Sequence, residues 1–139
     1  MEILKHSDVT GKIIKAFYKV YNTLGYGFLE KVYENAMLIE LRKMGLVCSN
    51  QLPIKVYYEH HIVGDYVADI LVETVIIVEL KAIEALAPIH ETILVNYLKA
   101  TKMEVGLLMN FGPKPEFKRR ILTQEYLNGD LGNGESVEI

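Results

Sequence analysis

At 139 residues, half of them hydrophobic and 24% charged, the chain is long enough to bury the core of one α/β domain and short for two. A formal net charge of −3 argues against a strongly basic nucleic-acid binder, and the single cysteine, Cys48, excludes an internal disulfide and disfavours a thiolate zinc site. No apolar run reaches the roughly 18 residues of a membrane span, and the opening MEILKHSDVT lacks the apolar centre of a signal peptide, so the expectation is a cytoplasmic protein with no membrane partner.

Apolar residues Val9, Ile13, Ala16, Phe17, Val20 and Leu24 recur at the spacing of one helical face and predict a helix from Ser7 to Leu24, capped by Ser7 or Asp8 and ended by Gly25. A second helical pattern follows the Gly25–Tyr26–Gly27 turn, through Leu29, Val32, Tyr33, Ala36, Met37 and Leu41 to Met44. From Ser49 the period changes to two, with Pro53 marking an edge strand, and Glu59–His60–His61 turns the chain into a second strand, Ile62 to Val72, where Gly64 suggests a bulge. A third strand, Val75 to Lys81, is apolar on both faces in its first part, as a central strand must be. Pro88 opens a helix that runs to Thr101, and Val105 to Met109 reads as a fourth strand, parallel to the third because a helix connects them.

The fifteen residues from Glu125 hold four acids and no Lys or Arg, leaving 15 basic against 14 acidic residues in the body. The Gly-rich acidic end is expected to be a mobile tail. Lys114, Lys118, Arg119 and Arg120 form a basic cluster just before it, able to meet phosphates or simply to be solvated.

Three charges interrupt the apolar strands: Asp69 in the second, Glu79 and Lys81 at the end of the third. Glu79 and Lys81 are two apart and share a face. Two carboxylates and a lysine at strand ends suit a hard divalent cation acting on a phosphate ester, since magnesium is commonly held by one or two carboxylates plus waters and substrate phosphate. The same charges could form a cross-strand ion pair at the sheet's end. The hairpin phase separates the readings. A two-residue loop at Glu73–Thr74 puts Asp69 opposite Val78, whereas a three-residue loop, or an equivalent bulge, puts it opposite Glu79.

The stretch Gly27–Phe28–Leu29–Glu30–Lys31–Val32–Tyr33, followed by Tyr66–Val67–Ala68–Asp69, Val78–Glu79–Leu80–Lys81–Ala82, Pro88–Ile89–His90–Glu91, Asn96–Tyr97–Leu98–Lys99 and Gly106–Leu107–Leu108–Met109–Asn110–Phe111–Gly112, resembles the GxxExxY protein family of the PD-(D/E)xK nuclease superfamily. The resemblance implies an α/β, restriction-endonuclease-like core: a mixed sheet of four or slightly more strands flanked by helices, in the order α-α-β-β-β-α-β, over residues 1–126, with 127–139 as the tail. It places Asp69, Glu79 and Lys81 at the catalytic positions. Glu30 looks like the helix-borne glutamate that assists the metal in RecB-like and exonuclease-like branches, so the implied ligands are Asp69, Glu79 and Glu30. Tyr97, His90 and Tyr33 are the implied substrate contacts, although a histidine at a helix start also bonds the adjoining loop. The implied cofactor is Mg2+ or Mn2+, and the implied partner is nucleic acid, DNA before RNA, with self-association left open. In one respect the chain departs from those branches: Ile93 stands where Gln precedes Tyr97 by four residues, and isoleucine can pack but cannot hold substrate. That departure supports a second reading, a nuclease-like fold with weak catalysis or a purely binding or regulatory role.

Overall fold

The computed structural model describes residues 6–128 and 137–138. Helices α1 (Ser7–Leu24) and α2 (Glu30–Lys43) precede an antiparallel meander of β1 (Cys48–Tyr58), β2 (His61–Val72) and β3 (Ile76–Lys81). Helix α3 (Pro88–Thr101) then crosses to β4 (Val105–Phe111), which runs parallel to β3. The chain continues through β5 (Pro115–Ile121), α4 (Gln124–Leu127) and β6 (Val137–Glu138). The sheet is mixed, and its strands stand in sequence order from β1 to β6. It is thus the expected helix-flanked α/β core, extended at one edge. The expected tail falls mostly on residues outside those described, but the backbone of Val137 and Glu138 pairs with Ile121 and Arg120.

Two cores sandwich the sheet. Ile13, Phe17, Tyr33, Met37 and Leu41 from α1 and α2 pack on Ile70, Ile76, Val78, Leu107 and Phe111. On the other face Leu94 and Leu98 of α3 meet Ile77, Leu108, Ile54 and Ala68. Strands β3 and β4 are covered on both sides, which is why their sequences are almost uninterruptedly apolar. Helix α1 is nucleated without the expected side-chain cap: its N-cap is His6, in the left-handed region at φ 57°, and Ser7 is already helical. It stops at Gly25, whose φ of 69° suits a residue without Cβ. Among the described residues no helix is long and apolar enough to cross a membrane.

The long β1–β2 hairpin positions the site. Pro53 lies on the sheet's edge strand, as expected. The bulge falls beside Gly64: Val56 pairs with Gly64 and Tyr57 with Ile62, leaving Val63 as the extra residue. Nearer the base, the ladder pairs Asn50 with Ile70 and Leu52 with Ala68, and between them stands Gln51 at φ 57°, across from Asp69. Here the two strands exchange faces. Ile70 and Val72 belong to the core under α1 and α2, whereas Ile54 and Ala68, also even-numbered, pack against α3.

Candidate active site

Strands β2 and β3 pair Val72 with Ile76, Leu71 with Ile77 and Ile70 with Val78, so three residues, Glu73 to Val75, separate them and the next opposed positions are Asp69 and Glu79. A left-handed pair, Glu73 at φ 54° and Thr74 at φ 57°, makes the turn, and Val75 returns its N–H to the Val72 carbonyl at 3.1 Å. A β-branched residue pays a steric penalty there, so something outside the turn must hold it. Glu73 does this: its amide donates to the Val47 carbonyl at 2.7 Å, and its carboxylate accepts from the Val47 amide at 2.6 Å.

At the open end of this hairpin the carboxylates replace backbone rungs. Glu79 Oε1 accepts from the Asp69 amide at 2.9 Å, and Asp69 Oδ2 accepts from the Leu80 amide at 2.7 Å. Each side chain is therefore tethered through one oxygen to the other strand. No donor among the described residues reaches the second oxygen of either. Glu79 is only 8% exposed, and burial followed by the charge of Asp69 pushes its pKa up to about 8. Burial also raises Asp69, opposed by its bond from Leu80 and assisted by the charges of Glu30 and Glu34. Lys81 lies near enough to lower both carboxyls. Among the described residues, however, no ion pair joins it to either. The ion-pair reading of the three charges thus lacks its bond, and the pair is left short of positive charge.

Two glutamates of α2 overlook the pair from the opposite side. Glu30 is the helix's first residue and is exposed; its charge is felt at Asp69 and Glu79. It does not complete the expected three-carboxylate ligand set: no three His, Cys, Asp or Glu side chains among the described residues are disposed to hold a metal together. Glu34, one turn further on, escaped the sequence reading. It is 4% exposed and takes bonds from Lys31 Nζ at 2.7 Å, Asn50 Nδ2 at 3.0 Å and Gln51 Nε2 at 2.9 Å. It thereby clamps the face-switching residue Gln51 opposite Asp69. A glutamate three residues after a lysine is the only local signal, and it reads as an ordinary surface pair.

From the α3 side, Tyr97 is half-buried with its ring 6.0 Å from that of Tyr66, and burial and the charges of Glu79 and Asp69 hold its hydroxyl pKa up. Ile93, one turn earlier, is 36% exposed. His90 takes the loop-bonding option: its Nδ1 accepts from the Ala87 amide at 2.9 Å, which leaves the proton on Nε2. The connection from Lys81 to α3 is pinned by buried Asn110, whose side chain accepts from the Ile83 amide and donates to its carbonyl, both at 3.0 Å. A Cβ on Gly112 would come within 2.2 Å of that same carbonyl, so this close approach requires glycine.

Tyr33 needs correction as a substrate contact. It is fully buried, stacks on Phe111 with centroids 4.2 Å apart, and uses its hydroxyl to donate to the Gly25 carbonyl at 2.7 Å and accept from the Phe28 amide at 3.3 Å. It braces the turn that launches α2 and so positions Glu30. The basic cluster is also partly committed: Arg120 pairs with Glu91 at 2.7 Å, within β5, a strand the sequence did not announce.

Two carboxylate oxygens left without a donor among the described residues, on side chains whose proton affinity is raised by burial and by neighbouring acidic charge, fit a hard divalent cation that takes oxygen ligands and keeps several waters. The family model described as the PD-(D/E)XK nuclease superfamily matches residues 7–120. No match was found among curated proteins or among solved structures.

Proposed function

This chain belongs to the PD-(D/E)XK nuclease superfamily, and from that premise we propose that it is a metal-dependent nuclease hydrolysing phosphodiester bonds of nucleic acid, in the GxxExxY group and with Asp69, Glu79 and Lys81 as its catalytic residues. The opposed, amide-tethered Asp69 and Glu79 carry the reading. Their tethers restrict rotation and leave one oxygen of each for Mg2+ or Mn2+, with Glu30 reaching the same centre through water. A cation bound there supplies Lewis-acid polarisation of the phosphate and eases deprotonation of a water. Lys81, on the face of Glu79, offers its ammonium to the charge that develops on the phosphate. The oxygen of the attacking water bonds to phosphorus as the bond between phosphorus and the leaving sugar oxygen breaks, and that oxygen departs with a proton drawn from water. DNA is the first substrate to try, and the lone cysteine accords with a cytoplasmic setting.

Ile93 favours a second reading, nucleic-acid binding with little or no turnover, because it offers no polar atom where the related branches have glutamine. Both are tested by incubating single-stranded DNA, duplex DNA and RNA with the protein in magnesium, manganese or chelator. Cleavage that needs the metal and disappears in Asp69→Ala supports the nuclease. Cleavage unchanged in that variant removes Asp69 from the chemistry, and calorimetric metal uptake without cleavage supports the second reading.

A further inference from the structure

A cavity of about 740 Å³ lies between α3 and the outer half of the β1–β2 hairpin, just past Tyr97 from the carboxylate pair. Among the described residues its lining includes three lysines and no acid, in a chain whose net charge is negative. The aromatic faces are built in: Tyr66 is 51% exposed, and Tyr57, on the paired strand, is 61% exposed. Gly64 makes room for the first of them, because a Cβ there would lie 2.9 Å from the Tyr66 ring. Ile93 adds an apolar wall. At this position the side chain thus offers an apolar surface on which a base can lie.

The geometry points to a single-stranded nucleic acid as the occupant of this cavity, with unpaired bases stacking on Tyr66 and Tyr97 and phosphates tracking Lys55 and Lys99. Ring faces are useful only to bases whose own faces are free, and a duplex hides them. The lysines are available for exchange. Lys55 pairs with Asp65 at 2.7 Å across exposed strand positions, a contact worth little in water, and Lys99 lies 5.7 Å above the Tyr126 ring without a carboxylate partner among the described residues. Lys102 is engaged with the Leu127 carbonyl and takes no part. The inference rests on the nuclease reading for its meaning, since a strand laid here would pass Tyr97 toward Asp69 and Glu79, but its test does not require cleavage.

Anisotropy of a labelled oligothymidylate of about 15 nucleotides is measured in excess chelator with the full chain, against a duplex of equal length. Single strand should bind at least about tenfold more tightly than duplex. Tyr66→Ser should weaken it about five- to hundredfold while Tyr66→Phe retains it, and Lys99→Ala should lower the slope of log affinity against log salt by about 0.7. Duplex bound as well as single strand, no single-strand binding, or wild-type affinity in folded Tyr66→Ser would overturn the inference. If no metal supports cleavage yet the binding results hold, the nuclease reading fails and the groove stands. If cleavage occurs and Tyr66→Ser binds normally, the groove fails and the nuclease stands.

Discussion

Replacing Glu79 by Gln should stabilise the metal-free protein and disable it. The glutamine carbonyl can still accept from the Asp69 amide, as Glu79 Oε1 does at 2.9 Å, and its NH2 group donates toward the facing carboxylate instead of repelling it. A carboxyl whose folded pKa stands at about 8 against an ordinary 4.5 holds its proton more tightly folded than unfolded. Its contribution is therefore most favourable below pH 4.5 and is lost as pH rises through 8. Taken at face value the loss is about 4 kcal/mol at pH 8; relaxation and water entry reduce this, and ~2–4 kcal/mol is the working range. For a chain of this size that is a Tm increase of roughly 5–15 °C for Glu79→Gln at pH 8, shrinking to a few degrees or less at pH 5. Thermal unfolding followed by circular dichroism in chelator, at several pH values between these limits, measures the gap. Magnesium should raise the wild-type Tm at pH 8 and leave the variant's unchanged. A gap that does not widen with pH, or a glutamine variant less stable than wild type at pH 8, would refute the claim that burial and Asp69 leave Glu79 short of positive charge.

Other outcomes follow from the residues that hold the pair in place. Asn110→Ala leaves both backbone groups of Ile83 without their side-chain partner at a half-buried position, so denaturant melts should show a loss of about 1–3 kcal/mol. Tyr33→Phe removes two bonds from the Gly25–Phe28 turn and keeps the stack on Phe111; chemical denaturation should register about 1 kcal/mol, whereas Tyr33→Ala should cost about 3–5 kcal/mol. Glu34→Gln keeps an acceptor for Gln51 but loses the charge that draws Lys31, Asn50 and Gln51 together. Unfolding melts should show about 1–2 kcal/mol of destabilisation, with hydrogen exchange quickened at Gln51 and Asp69.

Helix α1 was legible from its regular apolar stripe and its end at Gly25, and α3 from the start that Pro88 gives it, although of its apolar residues Leu94 and Leu98 are buried while Ile89 and Ile93 are exposed. The central strands were legible because β3 and β4 are covered on both faces and must be apolar throughout. Strand β5 was hidden by its composition. Pro115, Glu116, Lys118, Arg119 and Arg120 read as a solvated basic end, yet the strand is held by backbone pairing to β4 and its side chains are only half-buried. The hairpin phase, on which the site depends, could not be read locally. Nothing in Glu73–Thr74 announces two left-handed residues; the first of them is held by Val47, 26 residues away. Glu34 is a similar case, since the groups that make it a clamp lie 16 and 17 residues further along.

The most direct test of the central claim is the cleavage rate of Lys81→Ala under single turnover with saturating manganese. Lys81 pairs with Asn110 in the β3–β4 ladder through its backbone, which alanine keeps, and among the described residues its ammonium makes no ion pair with either carboxylate, so Lys81→Ala should leave the fold and manganese uptake intact while removing charge stabilisation at the phosphate. Cleavage should fall by about a hundredfold or more with calorimetric manganese binding unchanged. Cleavage at the wild-type rate in that variant would contradict the assignment of this site as a nuclease centre.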